Sequence, residues 1–239
     1  MRLLLLVALA VPLASLALLL RAQDVDRPVR AVVAPTPAPL TPTTPAPATP
    51  ERRRAARPDW PQVRWRDSRS LGTPTAGRLV AGVRLPAEGP HFVSWDPVFK
   101  RTPNRGWRRY GNDRVVRTVL RVLRGFHARH PRATRVLVGD LSRTRGGDFG
   151  RRFGPVGHVS HQNGLDVDVY YPRRDDRERA PRRLSHVDRT LAQELVDRFV
   201  RAGAERVLVG PRVLLAGPPS VVQVWPNHDD HLHARFAGD

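Results

Sequence analysis

The composition of the chain changes abruptly near residue 59, and this change limits how much of the chain can form a globular fold. Residues 3–20 are an apolar run with Ser15 as its one polar residue, and residues 31–58 are rich in Ala, Pro and Thr and end in an Arg cluster. Neither segment has the periodic alternation of apolar and polar residues that a packed domain needs. Residues 59–239 remain, which are enough for one domain with a single hydrophobic core.

The amino terminus has the features of an export signal. Arg2 precedes the apolar run, and Arg21 and a polar stretch follow it, as in a secretory signal peptide. The run is also close to the length of a membrane-spanning helix and no Ala-x-Ala cleavage site follows, so residues 3–20 could instead anchor the chain in the inner membrane. A buried core helix is disfavoured because the segment has no polar face.

We therefore predict three regions. Residues 1–22 are a signal peptide or membrane anchor, residues 23–58 are an extended Pro/Ala/Thr-rich linker, and residues 59–239 are the functional domain. The domain is expected to be periplasmic, secreted or held at the inner membrane by the amino-terminal segment.

The chain is strongly basic, with 41 Lys+Arg against 22 Asp+Glu and a formal charge of +19. This balance favours an anionic partner such as a cell-wall polymer, but an Arg-rich solvated surface would explain it equally well because the Arg residues are scattered. Nucleic acid is disfavoured as a partner by the export signal and by the lack of RRM, KH or zinc-finger motifs. The chain has no Cys, which excludes disulfides and thiolate metal sites. The oligomeric state is left open.

The pattern of apolar residues predicts an α+β domain with a mainly antiparallel sheet and flanking helices. Helical spacing covers residues 113–130, and a second helix is expected over residues 185–202 with Ser185 and Asp188 as a capping box. Short strands and loops are expected before residue 110. Further strands are expected over residues 135–139, 165–171, 206–209, 212–215, 221–225 and 231–236.

Five of the nine His residues lie in two short segments, residues 157–168 and 225–233. On a strand over residues 165–171 the side chains alternate, so Asp166 and Asp168 share the face opposite the Leu and Val side chains. Two carboxylates on a buried strand need partners, and a divalent metal is one such partner. His161 lies in the preceding loop, within reach of the same point.

The carboxy-terminal strand supplies the second half of the candidate site. His231, His233 and Arg235 lie on one face of it, so a His-x-His pair can present two imidazoles to one point. Catalytic zinc typically takes three protein ligands and leaves the fourth position open, and imidazole and carboxylate suit it in a chain without Cys. Each motif alone is weak, but their joint occurrence in one domain predicts a zinc site.

These residues resemble a known family. His-x₆-Asp followed by a distant His-x-His is similar to the signature of the LAS metallopeptidases, named for lysostaphin, D-Ala-D-Ala carboxypeptidase and Sonic hedgehog. The longer texts GHVSHQNGLDVD and WPNHDDHLHAR look like one branch, the penicillin-insensitive murein endopeptidases. The resemblance implies one Zn²⁺ per domain, held by His161, Asp168 and His233. It implies hydrolysis of peptidoglycan cross-links, chiefly the D-alanyl–meso-diaminopimelyl bond.

Roles for the remaining residues follow from this resemblance and from the chemistry. Neither motif contains Glu, so His231 is our candidate for the general base, although its role could be orientation or oxyanion stabilisation instead. His228 is the second candidate for stabilising the oxyanion. The remaining residues are predicted to line the site, to orient ligands or to bind substrate: His158, Asp166, Asp230 and Arg235. For the last three, an ordinary hydrogen bond or salt bridge is the alternative.

Several alternative functions stay open at this point. Another LAS activity, such as a D-Ala-D-Ala carboxypeptidase or an L,D-endopeptidase, would use the same residues. A non-catalytic cell-wall-binding module is a third possibility, disfavoured because all three ligand types are present. Ser160 beside His161 does not indicate a serine hydrolase, because no G-x-S-x-G context surrounds it.

Overall fold

The computed structural model describes residues 62–153 and 157–238. The predicted signal or anchor segment and the predicted linker lie outside these residues. No helix within the described ranges is long and apolar enough to cross a membrane.

Two α-helices form where the sequence has helical spacing. Helix α1 covers Asp113–Arg129, and it begins where the Asn112 side chain accepts a hydrogen bond from the backbone N–H of Arg114. Helix α2 covers Arg189–Arg201 and begins later than predicted, because the Asp188 side chain caps the N–H of Leu191. The predicted capping box at Ser185 is therefore wrong, since residues 184–186 form a 3₁₀ turn instead.

Eleven strands are found among the described residues. Their bounds are β1 Arg69–Thr73, β2 Ala76–Val80, β3 Val83–Arg84, β4 Glu88–Gly89, β5 Phe92–Ser94, β6 Tyr110–Gly111, β7 Val136–Val138, β8 Asp166–Tyr170, β9 Ala204–Val209, β10 Val222–Val224 and β11 His231–Phe236. The strand predicted over residues 212–215 is wrong. Leu214 there has a φ of +56° and is 74% exposed, as expected of a turn.

The central sheet has seven strands in the order β10-β9-β11-β8-β7-β5-β4. The β9–β10 and β5–β7 pairs are parallel, and the other four pairs are antiparallel. Both helices pack on one face of this sheet and form the main core with its apolar side chains. The α+β class and the mainly antiparallel sheet are thus confirmed.

Strands β8 and β11 carry core side chains on one face and the polar side chains of the predicted site on the other. Val167 and Val169 on β8, and Leu232 and Ala234 on β11, point into the helix-covered core. The alternate residues point to the opposite face, where a smaller cluster contains Trp95 and Tyr170 among others. The alternation predicted from the sequence therefore places the polar side chains on the face away from the helices.

Candidate metal centre

The candidate metal centre lies on the face of the sheet that the helices leave uncovered. Strands β8 and β11 are antiparallel neighbours, and their register sets His233 directly opposite Asp168 and Arg235 directly opposite Asp166. Directly opposed residues point to the same face. The two motifs are therefore brought together by strand pairing, although they are far apart in the sequence.

Three atoms of the predicted ligand set form a nearly equilateral triangle. His161 Nε2 lies 3.1 Å from His233 Nδ1 and 3.3 Å from Asp168 Oδ1, and His233 Nδ1 lies 3.1 Å from Asp168 Oδ1. Ligand atoms at about 2.0–2.1 Å from a tetrahedral Zn²⁺ are about 3.3 Å apart. The spacing and the nitrogen and oxygen donors therefore fit a zinc ion.

A second group of possible ligands overlaps the first. His158, His161 and Asp168 each offer one atom within 4.8 Å of the others, so this group could also hold a metal ion. His158 Nδ1 is 3.8 Å from Asp168 Oδ2, which makes this triangle looser. The two groups share His161 and Asp168 and differ in whether His158 or His233 completes them.

The loop before β8 carries His161 into the site through an unusual backbone conformation. His161 has a φ of +66° and Gly164 a φ of +80°. A Cβ on Gly164 would lie 2.9 Å from the Leu79 side chain and from the backbone nitrogen of Asn112, so glycine is required there. The backbone N–H of His161 donates to Asp166 Oδ2 at 2.9 Å, and its Nδ1 faces the carbonyl oxygen of Leu141. These contacts leave Nε2 of His161 directed toward the other two corners of the triangle, His233 Nδ1 and Asp168 Oδ1.

Asp166 lies behind His233 and fixes its ring. His233 Nε2 donates to Asp166 Oδ1 at 3.0 Å, so Nδ1 faces the triangle. Arg235 Nε also donates to Asp166 Oδ1, at 2.7 Å. Asp166 therefore has the contacts expected of a residue that orients a metal-binding imidazole. Arg235 forms the salt bridge that was the alternative prediction for it.

A buried network that the sequence analysis missed holds His158. His158 Nε2 lies 2.8 Å from Asp140 Oδ2, and Asp140 also accepts from Arg108 and Asn104. Arg108 and Asp140 are both fully buried. The only signal in the sequence is a charged residue two positions after the apolar strand β7, and this signal does not identify a partner.

The charges of the site are set by burial and by close contacts. Burial lowers the pKa of His161, which keeps its imidazole neutral, the form that binds metals. Burial also acts to lower the pKa of His233, but its contacts with Asp166 and Asp168 outweigh this and raise the pKa to about 9. Burial acts to raise the pKa of Asp168, but the neighbouring His161 and His233 hold it well below the usual range. An anionic Asp168 and a neutral His161 are the donor forms that a divalent cation needs.

His231 and His228 lie beside the triangle, near Asp168 and His233 respectively. His231 Nε2 is 3.9 Å from Asp168 Oδ1, and its Nδ1 donates to Asp230 Oδ1 at 2.7 Å. Burial acts to lower the pKa of His231, but the bond to Asp230 and the charge of Asp168 raise it. The rings of His228 and His231 are 4.8 Å apart. Burial and the nearby His231 lower the pKa of His228 to about 4.

Comparison with known proteins identifies relatives of this chain. A sequence model of the penicillin-insensitive murein endopeptidase family matches residues 70–208. Proteins named penicillin-insensitive murein endopeptidase from Klebsiella pneumoniae subsp. pneumoniae and from Escherichia coli O157:H7 are each 26% identical to this chain over 195 residues. These alignments cover 71% of this chain and 66% of each relative. The family match covers more than half of the chain, and the chain therefore belongs to the penicillin-insensitive murein endopeptidase family.

Proposed function

We propose that the chain is an exported, zinc-dependent murein endopeptidase that hydrolyses the D-alanyl–meso-diaminopimelyl cross-links of peptidoglycan. The observation that carries this proposal is the triangle of His161 Nε2, His233 Nδ1 and Asp168 Oδ1, with sides of 3.1–3.3 Å, in a member of this family. Residues 1–22 would direct export, residues 23–58 would separate the catalytic domain from the membrane, and residues 59–239 would form that domain.

His161, Asp168 and His233 are the proposed ligands. A bound Zn²⁺ would polarise the scissile carbonyl and lower the pKa of a water molecule toward ~7. Asp166 and the carbonyl oxygen of Leu141 would keep the two imidazoles in the tautomers that direct their free nitrogens at the ion.

His231 is the proposed general base. Its Nδ1–H is held by Asp230, so in the neutral ring the lone pair is on Nε2, which faces the triangle. Nε2 would take a proton from the attacking water and give it to the amine that leaves when the amide bond breaks. The raised pKa of His231 makes Nε2 a stronger base for the first of these transfers.

The contacts of His228 argue against the role of oxyanion donor that was predicted for it. Its Nδ1 donates to the carbonyl oxygen of Pro226 at 2.7 Å, and its lowered pKa keeps the ring neutral. In that form Nε2 has no proton to donate to an oxyanion. We therefore propose that His228 accepts a hydrogen bond from the substrate amide, and that a protonated His231 supports the oxyanion.

The test is digestion of purified cross-linked muropeptide dimers by the full chain, with products identified by mass. We expect conversion of dimers to monomers, loss of activity after chelation and recovery on addition of Zn²⁺. Release of a terminal D-alanine, or cleavage within one stem peptide, would indicate another LAS activity. Dimers that remain intact with zinc bound would contradict the proposal and favour a wall-binding module.

A further inference from the structure

A large basic cleft adjoins the candidate metal centre. It encloses about 870 Å³, and its lining residues include Tyr170 and Asp230. Both of these residues contact His231, since the Tyr170 ring lies 5.3 Å from its ring and Asp230 accepts its Nδ1–H. A substrate that extends from the proposed general base would therefore enter this cleft.

The walls of the cleft come from three separate segments that each contribute cations. Two come from the loop after β5, one precedes β10, and three lie in the segment before α2: Lys100, Arg101, Arg212, Arg179, Arg182 and Arg183. The rings of Trp95 and Tyr170, 6.3 Å apart, contribute a rigid aromatic surface. Cations from three separate segments thus line one space.

The two acidic residues of the cleft are already engaged. Asp229 pairs with Arg212 at 3.3 Å, and Asp230 accepts from His231. Among the residues that the structure describes, the other five cations of the cleft make no ion pair with a carboxylate. By contrast, several exposed Arg residues elsewhere do, including Arg117 and Arg135. The residues that line the cleft therefore carry an excess of positive charge.

We propose that this cleft is a subsite for a free carboxylate on the amine side of the scissile bond, held by the cations that line it, among them the neighbouring Arg182 and Arg183. The inference rests on the proposed function. Diaminopimelate has a carboxylate on the carbon that bears the acylated amine, so the cross-link places an anion beside the bond that is cut. Guanidinium groups match carboxylates in shape and charge, and clustered cations raise the local concentration of an anionic substrate.

A terminal carboxylate on the same stem peptide has the same chemistry, so the test uses two modified substrates. One synthetic dimer is amidated at the diaminopimelyl carboxylate, and the other is amidated at the terminal carboxylate. The full chain is compared with the double variant Arg182→Gln, Arg183→Gln. The matched control is Arg129→Gln, Arg132→Gln, which removes the same charge from two exposed Arg residues outside the cleft.

On the unmodified dimer we expect KM of the cleft variant to rise roughly tenfold with kcat unchanged, because charge-assisted contacts to substrate are lost. The control should behave as the wild type. Amidation of the diaminopimelyl carboxylate should raise KM of the wild type by a similar factor. On this amidated dimer, the wild type and the cleft variant should have the same KM. If amidation of the terminal carboxylate does this instead, that group occupies the cleft and our assignment of the diaminopimelyl carboxylate is overturned.

An equal effect of the variant on all dimers, or no effect, would overturn the subsite. Failure of the proposed function is separable. If the wild type cleaves no dimer, the subsite is tested separately by measuring, with calorimetry, the binding of a peptide that ends in diaminopimelate. Binding about tenfold tighter to the wild type than to the cleft variant, lost when the diaminopimelyl carboxylate is amidated, would support the subsite. Equal binding to both proteins would overturn it.

Discussion

Two buried aspartates each hold a histidine of the candidate metal centre, but their partners come from different kinds of secondary structure. Asp166 and its partners His233 and Arg235 lie on the adjacent strands β8 and β11. Asp140 follows β7, and its partners His158 and Arg108 come from two separate loops. The first group follows from strand register alone. The second depends on loops that the whole domain must bring together.

The two groups also differ in how far their charges are removed from water. The Arg108 and Asp140 side chains are both 0% exposed, whereas the Arg235 side chain is 17% exposed. A buried charge that loses its partner is more costly than one that water can reach. We therefore expect Asp140 and its partners to contribute more to the free energy of unfolding, and Asp166 and its partners to contribute more to metal affinity.

The largest expected effect is a difference between substitutions of His233 and His158. His233→Ala should remove bound zinc and reduce activity to background, because it deletes one corner of the tighter triangle. His158→Ala should keep zinc and lower activity about 10- to 100-fold, the effect typical of a residue that supports a metal ligand. Metal analysis of the purified variants and dimer digestion measure both. Loss of zinc from His158→Ala would instead indicate that His158, His161 and Asp168 form the metal site.

The second prediction concerns stability. Arg108→Met should lower the free energy of unfolding by about 3–5 kcal/mol, because the fully buried Asp140 loses its guanidinium partner and keeps only its contacts with His158 and Asn104. Arg235→Met should lower it by about 1–3 kcal/mol, since water reaches that end of the pair and His233 still contacts Asp166. Urea unfolding followed by circular dichroism measures both values. A smaller loss for Arg108→Met than for Arg235→Met would reverse the comparison.

The third prediction concerns acid. Burial acts to raise the pKa of Asp140, but Arg108 and His158 lower it to about 2. Because the pKa in the folded state is depressed, the stabilisation is present above the unfolded-state pKa of ~4 and is lost as pH falls toward 2, with a size of about 2 kcal/mol. The free energy of unfolding should therefore decrease in this range. Asp140→Asn should make the decrease shallower, and an unchanged slope would contradict the assignment.

The smallest expected effect concerns metal affinity. Asp166→Asn should weaken zinc binding at least about tenfold, because the amide no longer favours the tautomer of His233 that leaves Nδ1 free. Asp140→Asn serves as the matched variant and should leave zinc affinity nearly unchanged. Competition with a chromophoric chelator measures both constants. Equal weakening by the two variants would place His158 among the ligands.

The outcome for particular residues shows what sequence patterns can predict. Helix α1, strand β8 and strand β11 were predicted nearly to their ends, because their apolar periodicity is strong and local. The strand expected over residues 212–215 is wrong, because an apolar run that short does not distinguish a strand from a turn. The start of α2 was misplaced because Ser185 and Asp188 can both cap a helix, and the backbone selects only one of them.

By itself, the sequence determined the fold class, the two histidine motifs and the face of each strand that carries them, since side-chain alternation is a local property of a strand. Only the tertiary structure decided which atoms meet. It set His233 opposite Asp168, turned His161 inward through a left-handed backbone conformation, and joined Asp140 to partners 18 to 36 residues away along the chain. Contacts between loops have no periodicity, so their geometry depends on how the whole domain packs.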